Sequence, residues 1–180
     1  MTILFRRFPL VTAILVHCTF AMSQDAGPSR WIGMNAPEFR LSGTDGTTHS
    51  VDSLVAQGPA VIVWFPKAYT GNVDRLLKSV DTVTKSLNSQ GVRVIAASCD
   101  KPKYLTPYAR SLGLSFPILA DPTRTTAIRW GAVGSGREIP QRWAYFVDRN
   151  GRIASVRTDL EAEKAGPKIV ERARELGWIE

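Results

Sequence analysis

Few side chains in this sequence can do covalent chemistry. Cysteine occurs only as Cys18 and Cys99, and histidine only as His17 and His49. The first of each pair lies in a segment with the features of a cleaved signal, which leaves one thiol and one imidazole. An internal disulfide, a Cys-x-x-Cys redox pair and a cysteine/histidine zinc cluster are then excluded, and no metal or other cofactor is expected. Cys99 is the redox candidate. It closes a predicted strand at the carboxyl end, where α/β sites gather, and a thiolate there could attack an electrophile or be oxidised. Its neighbour Asp100 would raise the thiol pKa by like-charge repulsion, while Lys101 and Lys103 could lower it. The bland alternative is an inert thiol that packs as a small hydrophobe. His49 has no obvious acid or nucleophile near it in sequence and reads as a surface or turn residue. Gly134-Ser135-Gly136 lacks the preceding strand and the following Lys-Ser/Thr helix of a phosphate loop. Trp64, Trp130 and Trp143 sit on apolar stretches and read as core or pocket walls.

The elements that must position these residues follow from the apolar pattern. Residues 60–65 are apolar throughout and rich in branched side chains, as in a central strand covered on both faces. Residues 92–97 are its expected parallel partner. Between them, Val73, Leu76, Leu77, Val80, Val83, Thr84 and Leu87 recur at helical spacing over 72–88, closed by Gly91. Strand, helix and strand make a right-handed crossover. Residues 37–41 and 48–51 flank the turn signal 44–47 and suggest a short N-terminal hairpin, followed by one helical turn at 53–56. Further helices are expected at 103–112 and 123–130, with a short strand at 116–119 between them. The glycine-rich stretch 131–136 reads as an exposed loop. Strands at 143–147 and 153–156 flank the turn 148–151. A last helix over 160–176 should be broken or restarted at Gly166-Pro167. The sum is an α/β fold, a central mixed sheet flanked by helices.

The chain of 180 residues, 44% of them apolar, is long enough for one domain with a real core. Residues 1–23 read as a signal peptide: Arg6 and Arg7 precede an apolar run, and Thr19, Ala21 and Ser23 are small residues at cleavage positions. A run of about 15 apolar residues falls short of the roughly 20 that span a bilayer, so no stable membrane insertion is expected after processing. Residues 24–34 read as a flexible leader and 35–180 as the domain. The product would be periplasmic or extracellular. Two of the 23 basic residues leave with the signal, so 21 face 16 acidic ones. That mild, interspersed excess does not make a nucleic-acid surface.

One stretch carries a family likeness. Pro66-Lys67-Ala68-Tyr69-Thr70-Gly71-Asn72-Val73 resembles the active-site loop of the peroxiredoxins, particularly the bacterioferritin-comigratory type. There a proline, a threonine three or four residues on and a cysteine three after that form the peroxide site. Counting from Thr70, the cysteine should stand at position 73, which holds valine. The resemblance extends through Asn35-Ala36-Pro37-Glu38-Phe39 with Asp45-Gly46, through Ala97-Ser98-Cys99-Asp100, through Leu112-Gly113-Leu114 with Phe116-Pro117-Ile118-Leu119 and Asp121, and to Pro140-Gln141-Arg142. It implies a thioredoxin-like fold, monomeric or dimeric. It also implies roles for Pro66 in shielding a reactive atom, for the Thr70 hydroxyl in binding thiolate or peroxide, and for Arg142 in stabilising negative charge. Each has a plainer role open to it: Pro66 shaping a turn, Thr70 capping the next helix, Arg142 pairing with Glu138 or another acid. Two functions follow. One is a binding or scaffold protein that kept the fold without the thiol and recognises a peptide, a protein partner or a small anion. The other is a thiol-dependent peroxide reductase using Cys99, which would need an outside thiol reductant because no second cysteine remains.

Overall fold

The computed structural model describes residues 28–180 except Ser135, so the expected signal segment lies outside the described residues. After a 3-10 turn at Pro28–Trp31, the chain runs β1 (Leu41–Gly43), β2 (Thr48–His49), α1 (Val51–Val55), β3 (Ala60–Trp64), α2 (Gly71–Ser89), β4 (Arg93–Ser98), α3 (Pro102–Leu112), β5 (Ile118–Ala120), α4 (Thr125–Arg129), β6 (Trp143–Val147), β7 (Ile153–Arg157) and α5 (Ala165–Glu175). The seven strands form one mixed sheet in the order β2-β1-β5-β4-β3-β6-β7. β3 pairs with β4 in parallel and with β6 antiparallel.

The unbroken apolar run of β3 reflects two cores. Val61, Val63 and Phe65 face α2, α3 and α5, while Ala60, Ile62 and Trp64 face α1, α4 and Trp130. In β4, Val94 and Ala96 point to the first core and Ile95 and Ala97 to the second, the period-2 alternation of a strand. The helical spacing of α2 fills the first core with Val73, Leu76, Leu77, Val80 and Leu87. Each fully buried leucine among them stabilises the fold by about 2 kcal/mol. Gly91, at φ 79°, lets the chain reverse after α2, with the Val92 N–H donating to Leu87 O at 2.9 Å.

Several expectations need correction. The alternating residues 37–40 form no strand: Phe39 instead packs on Trp130, whose Nε1–H donates to the Pro37 carbonyl at 2.8 Å. Val51 opens α1 rather than closing a strand, because Ser50 and Ser53 form a reciprocal capping box. His49 is buried, not at the surface, and its Nε2 lies 3.0 Å from Asp45 Oδ2 and 2.8 Å from Thr47 Oγ1. Gly166-Pro167 does not interrupt the last helix but sits in its first turn, since α5 begins at Ala165. Part of the leader is tied down. Gly33 N–H donates to Ile153 O, Ile153 N–H donates to Met34 O, and Trp31 packs against Gly131. Within the glycine-rich stretch Ala132 is buried, its N–H bonded to Ala127 O at 2.9 Å.

Candidate functional site

The register of two strands assembles the site. Trp64 pairs with Trp143 across β3 and β6, so Arg142, just before β6, stands beside Pro66, just after β3. The loop from Pro66 to Thr70 then turns into α2. It is anchored from the neighbouring strand: Asp100 accepts the Ala68 N–H at 2.8 Å and the Ser98 hydroxyl at 2.9 Å. Tyr69 takes a left-handed φ of 60°, and its ring packs on Tyr108 with centroids 4.7 Å apart. The Tyr108 hydroxyl donates to Asp74 at 2.6 Å. Burial first, and the bond to Asp74 second, push this phenol well above its ordinary pKa, so it remains a donor.

The result is a cleft of about 620 Å³ lined by Pro66, Thr70, Val73 and Arg142, and also by Arg75 and Arg137. All four residues singled out in the loop and before β6 therefore meet in one place. Val73 is 1% exposed, in the first turn of α2, and belongs to the first core. Thr70 is the N-cap residue of α2, yet its hydroxyl makes no cap bond and donates instead to Lys67 O at 3.1 Å. Its carbonyl accepts the N–H groups of Val73 and Asp74. Arg142 is partly buried and, among the described residues, pairs with no acid, Glu138 included. Arg75 is held by Glu163, with Nε 2.6 Å from Oε1, and by Asn72. A helix N-terminus and guanidinium groups around one cleft favour negative charge inside it.

Sequence reasoning missed Arg75 and Arg137. Arg75 had a signal, since it follows Gly71 by four residues on the same helix face. Arg137 had none, for it sits in the irregular stretch before β6.

Cys99 stands apart. It does not line the cleft, and it packs on the second core, across the sheet from Val73. Burial pushes its thiol up to about 12, helped by the carboxylates of Asp121 and Asp100 and opposed by Arg124. The cation that acts on it is Arg124, not the expected Lys101 or Lys103. At pH 7 a thiol with that pKa is about one part in 10⁵ thiolate. Alkylation of Cys99 by iodoacetamide should accordingly be slow at pH 7 and rise about tenfold per pH unit toward pH 11. A plateau below pH 9 would show the thiol to be activated.

Among the described residues, no group of three or more His, Cys, Asp or Glu side chains converges as a metal site, and no helix is long and apolar enough to cross a membrane.

Comparison with known proteins gives this geometry its context. The family model described as AhpC/TSA family matches residues 32–156. The chain is 31% identical over 137 residues to a Mycobacterium tuberculosis H37Rv protein named as a peroxiredoxin, covering 72% of this chain and 86% of the relative. It is 29% identical over 133 residues to peroxiredoxin Bcp of Escherichia coli K12, covering 70% and 84%. Among solved structures, peroxidoxin BcpB of Mycobacterium tuberculosis superposes with a TM-score of 0.73 at 19% identity, over 81% of this chain and 97% of that one. Peroxiredoxin Q of Xanthomonas campestris gives 0.70 at 14% identity, over 76% and 90%. At those identities the structural likeness speaks for the fold, an α/β thioredoxin-like one.

Proposed function

The chain belongs to the AhpC/TSA family, with a peroxiredoxin's thioredoxin-like fold, and from that premise we propose that it is an exported member that has lost peroxide reduction and uses its cleft for binding. One observation carries the reading: an alkyl side chain, Val73, lies at the cleft floor beside Pro66, Thr70 and Arg142, where the family likeness places the reacting thiol. In thiol peroxidase chemistry a thiolate attacks one oxygen of the O–O bond. The second oxygen leaves as hydroxide or alkoxide and takes a proton. Sulfur is left as a sulfenic acid that condenses with an outside thiol, releasing water and forming a mixed disulfide, from which a second outside thiol frees the protein's own thiol. Valine has no lone pair with which to begin.

The alternative, chemistry moved to Cys99, meets two obstacles. That thiol is turned away from the cleft, and its surroundings hold it protonated. The test uses the mature protein with hydrogen peroxide and a thiol reductant. Peroxide consumption should match the protein-free rate and be unchanged in Cys99→Ser. Turnover in the wild type that disappears in Cys99→Ser would overturn the reading in favour of a thiol-dependent reductase with an external reductant.

Export rests on the sequence of residues 1–23, with its Arg6-Arg7 pair, apolar run and small residues. N-terminal sequencing of protein recovered from cells should start after Ala21 or Ser23. An intact Met1 on all of the protein would refute processing.

A further inference from the structure

The cleft is larger than a peroxide needs, and it is positive. A water molecule's share of liquid volume is about 30 Å³, and a two-oxygen molecule is not much larger, whereas the cleft holds about 620 Å³, well within the range of small-molecule sites. Its lining is of two kinds. Pro66 and Ile139 form an apolar wall with the buried Val73 and Pro140 behind it, and Ile139 is 47% exposed, a branched side chain left uncovered. Opposite in character are Arg137 and Arg142. No carboxylate lines the cleft among the described residues, and neither arginine has an acidic partner there. Arg75 is different, since Glu163 already neutralises it. The cleft therefore presents two uncompensated guanidinium groups, the Gly71 and Asn72 amides at the start of α2, and an apolar surface beside them.

A planar guanidinium matches a carboxylate through two parallel N–H···O bonds, and an uncovered apolar wall gains from a hydrocarbon group. Resting on the reading that the cleft binds rather than reacts, we propose that its ligand is an organic carboxylate. The carboxylate would sit at Arg142 and the start of α2, and the hydrocarbon body would lie on Pro66 and Ile139. Arg137 at the rim adds attraction that salt weakens.

The test titrates the mature protein with hexanoate at low ionic strength, followed by calorimetry and by backbone amide NMR. Hexan-1-ol and sulfate serve as probes lacking the charge and the hydrocarbon. Saturable hexanoate binding is expected, with the largest amide shifts at Gly71 and Asn72, and with both other probes at least tenfold weaker. Arg142→Gln should weaken hexanoate at least tenfold, the low end for losing one charge-assisted hydrogen bond. Arg129→Gln, exposed on α4 and outside the cleft, should change it less than twofold, and both variants should melt as the wild type does. Absence of saturation overturns the proposal. So does sulfate or hexan-1-ol binding as well as hexanoate, or an Arg142→Gln variant that folds and binds undiminished. The peroxide assay is independent of this result: wild-type turnover would sink the thiol-free reading whether or not hexanoate binds, and failure of hexanoate to bind would leave that reading standing.

Discussion

Val73→Cys should consume hydrogen peroxide, in the presence of an outside thiol, at least ~10²-fold faster than the wild-type chain, the scale of effect of an organised electrostatic site. The substitution removes little volume from a position 1% exposed in the first turn of α2, so the helix should survive it. Burial alone would hold a thiol there protonated. The surroundings oppose that, and they differ in sign from those of Cys99, whose pKa burial and two carboxylates drive up. Position 73 sees the positive end of a 19-residue helix and the unpaired Arg142, both of which favour a thiolate. The nearest acid in sequence, Asp74, is occupied by the Tyr108 hydroxyl. Adding Arg142→Gln should remove most of the gain. Adding Cys99→Ser should leave it unchanged, because Cys99 lies across the sheet and cannot resolve a sulfenic acid at 73. A folded Val73→Cys that consumes no peroxide in a coupled assay would show that Thr70 and Arg142 no longer form a competent pocket.

Gly166→Ala should be among the most damaging single-methyl additions, lowering stability by about 3 kcal/mol, the upper part of the range for overpacking. A Cβ at Gly166 would fall 2.1 Å from Ser79 O and 3.3 Å from Val83 Cγ1. The first of these is backbone and cannot rotate aside, so α5 must lift from α2. That close approach also carries hydrogen bonds: Ser79 Oγ accepts the Gly166 N–H at 3.0 Å and donates to Glu163 O at 2.8 Å. Displacing α5 would therefore also loosen Glu163 from Arg75 at the rim of the cleft. Urea unfolding reads the first effect as a lower midpoint at unchanged slope. Stability within about 0.5 kcal/mol of the wild type would mean that α5 is not seated as described.

What could be read in the sequence was whatever local periodicity controls. β3 and α2 declared themselves because one is apolar at every position and the other at helical spacing, and the burial of both follows from the same pattern. The loop residues Pro66, Thr70 and Val73 are neighbours in sequence, so their meeting needed no tertiary information. Arg142 was reached only through a family likeness, since nothing local shows that Trp64 pairs with Trp143. The alternation at 37–41 misled because Phe39 is buried by an aromatic partner 91 positions away, Trp130, and not by strand pairing. The expected start of the last helix at 160 erred for a similar reason. Leu160 and Ala162 are buried while Asp159 and Glu161 reach Lys168, an alternation that fixes the chain before any helix begins. Cys99 shows the limit most clearly. Its flanking Asp100, Lys101 and Lys103 are visible in the sequence, but the groups that act on it most, Asp121 and Arg124, arrive from beyond α3.

The account stands on the absence of a reactive sulfur at the cleft. Its most direct test is the intact mass of the mature wild-type protein after brief exposure to a small excess of hydroperoxide, with peptide mapping of Cys99. Unmodified Cys99 at times when a Val73→Cys sample already carries an added oxygen at position 73 is the predicted result; rapid oxidation of Cys99 in the wild type, reversed by thiol, would contradict it.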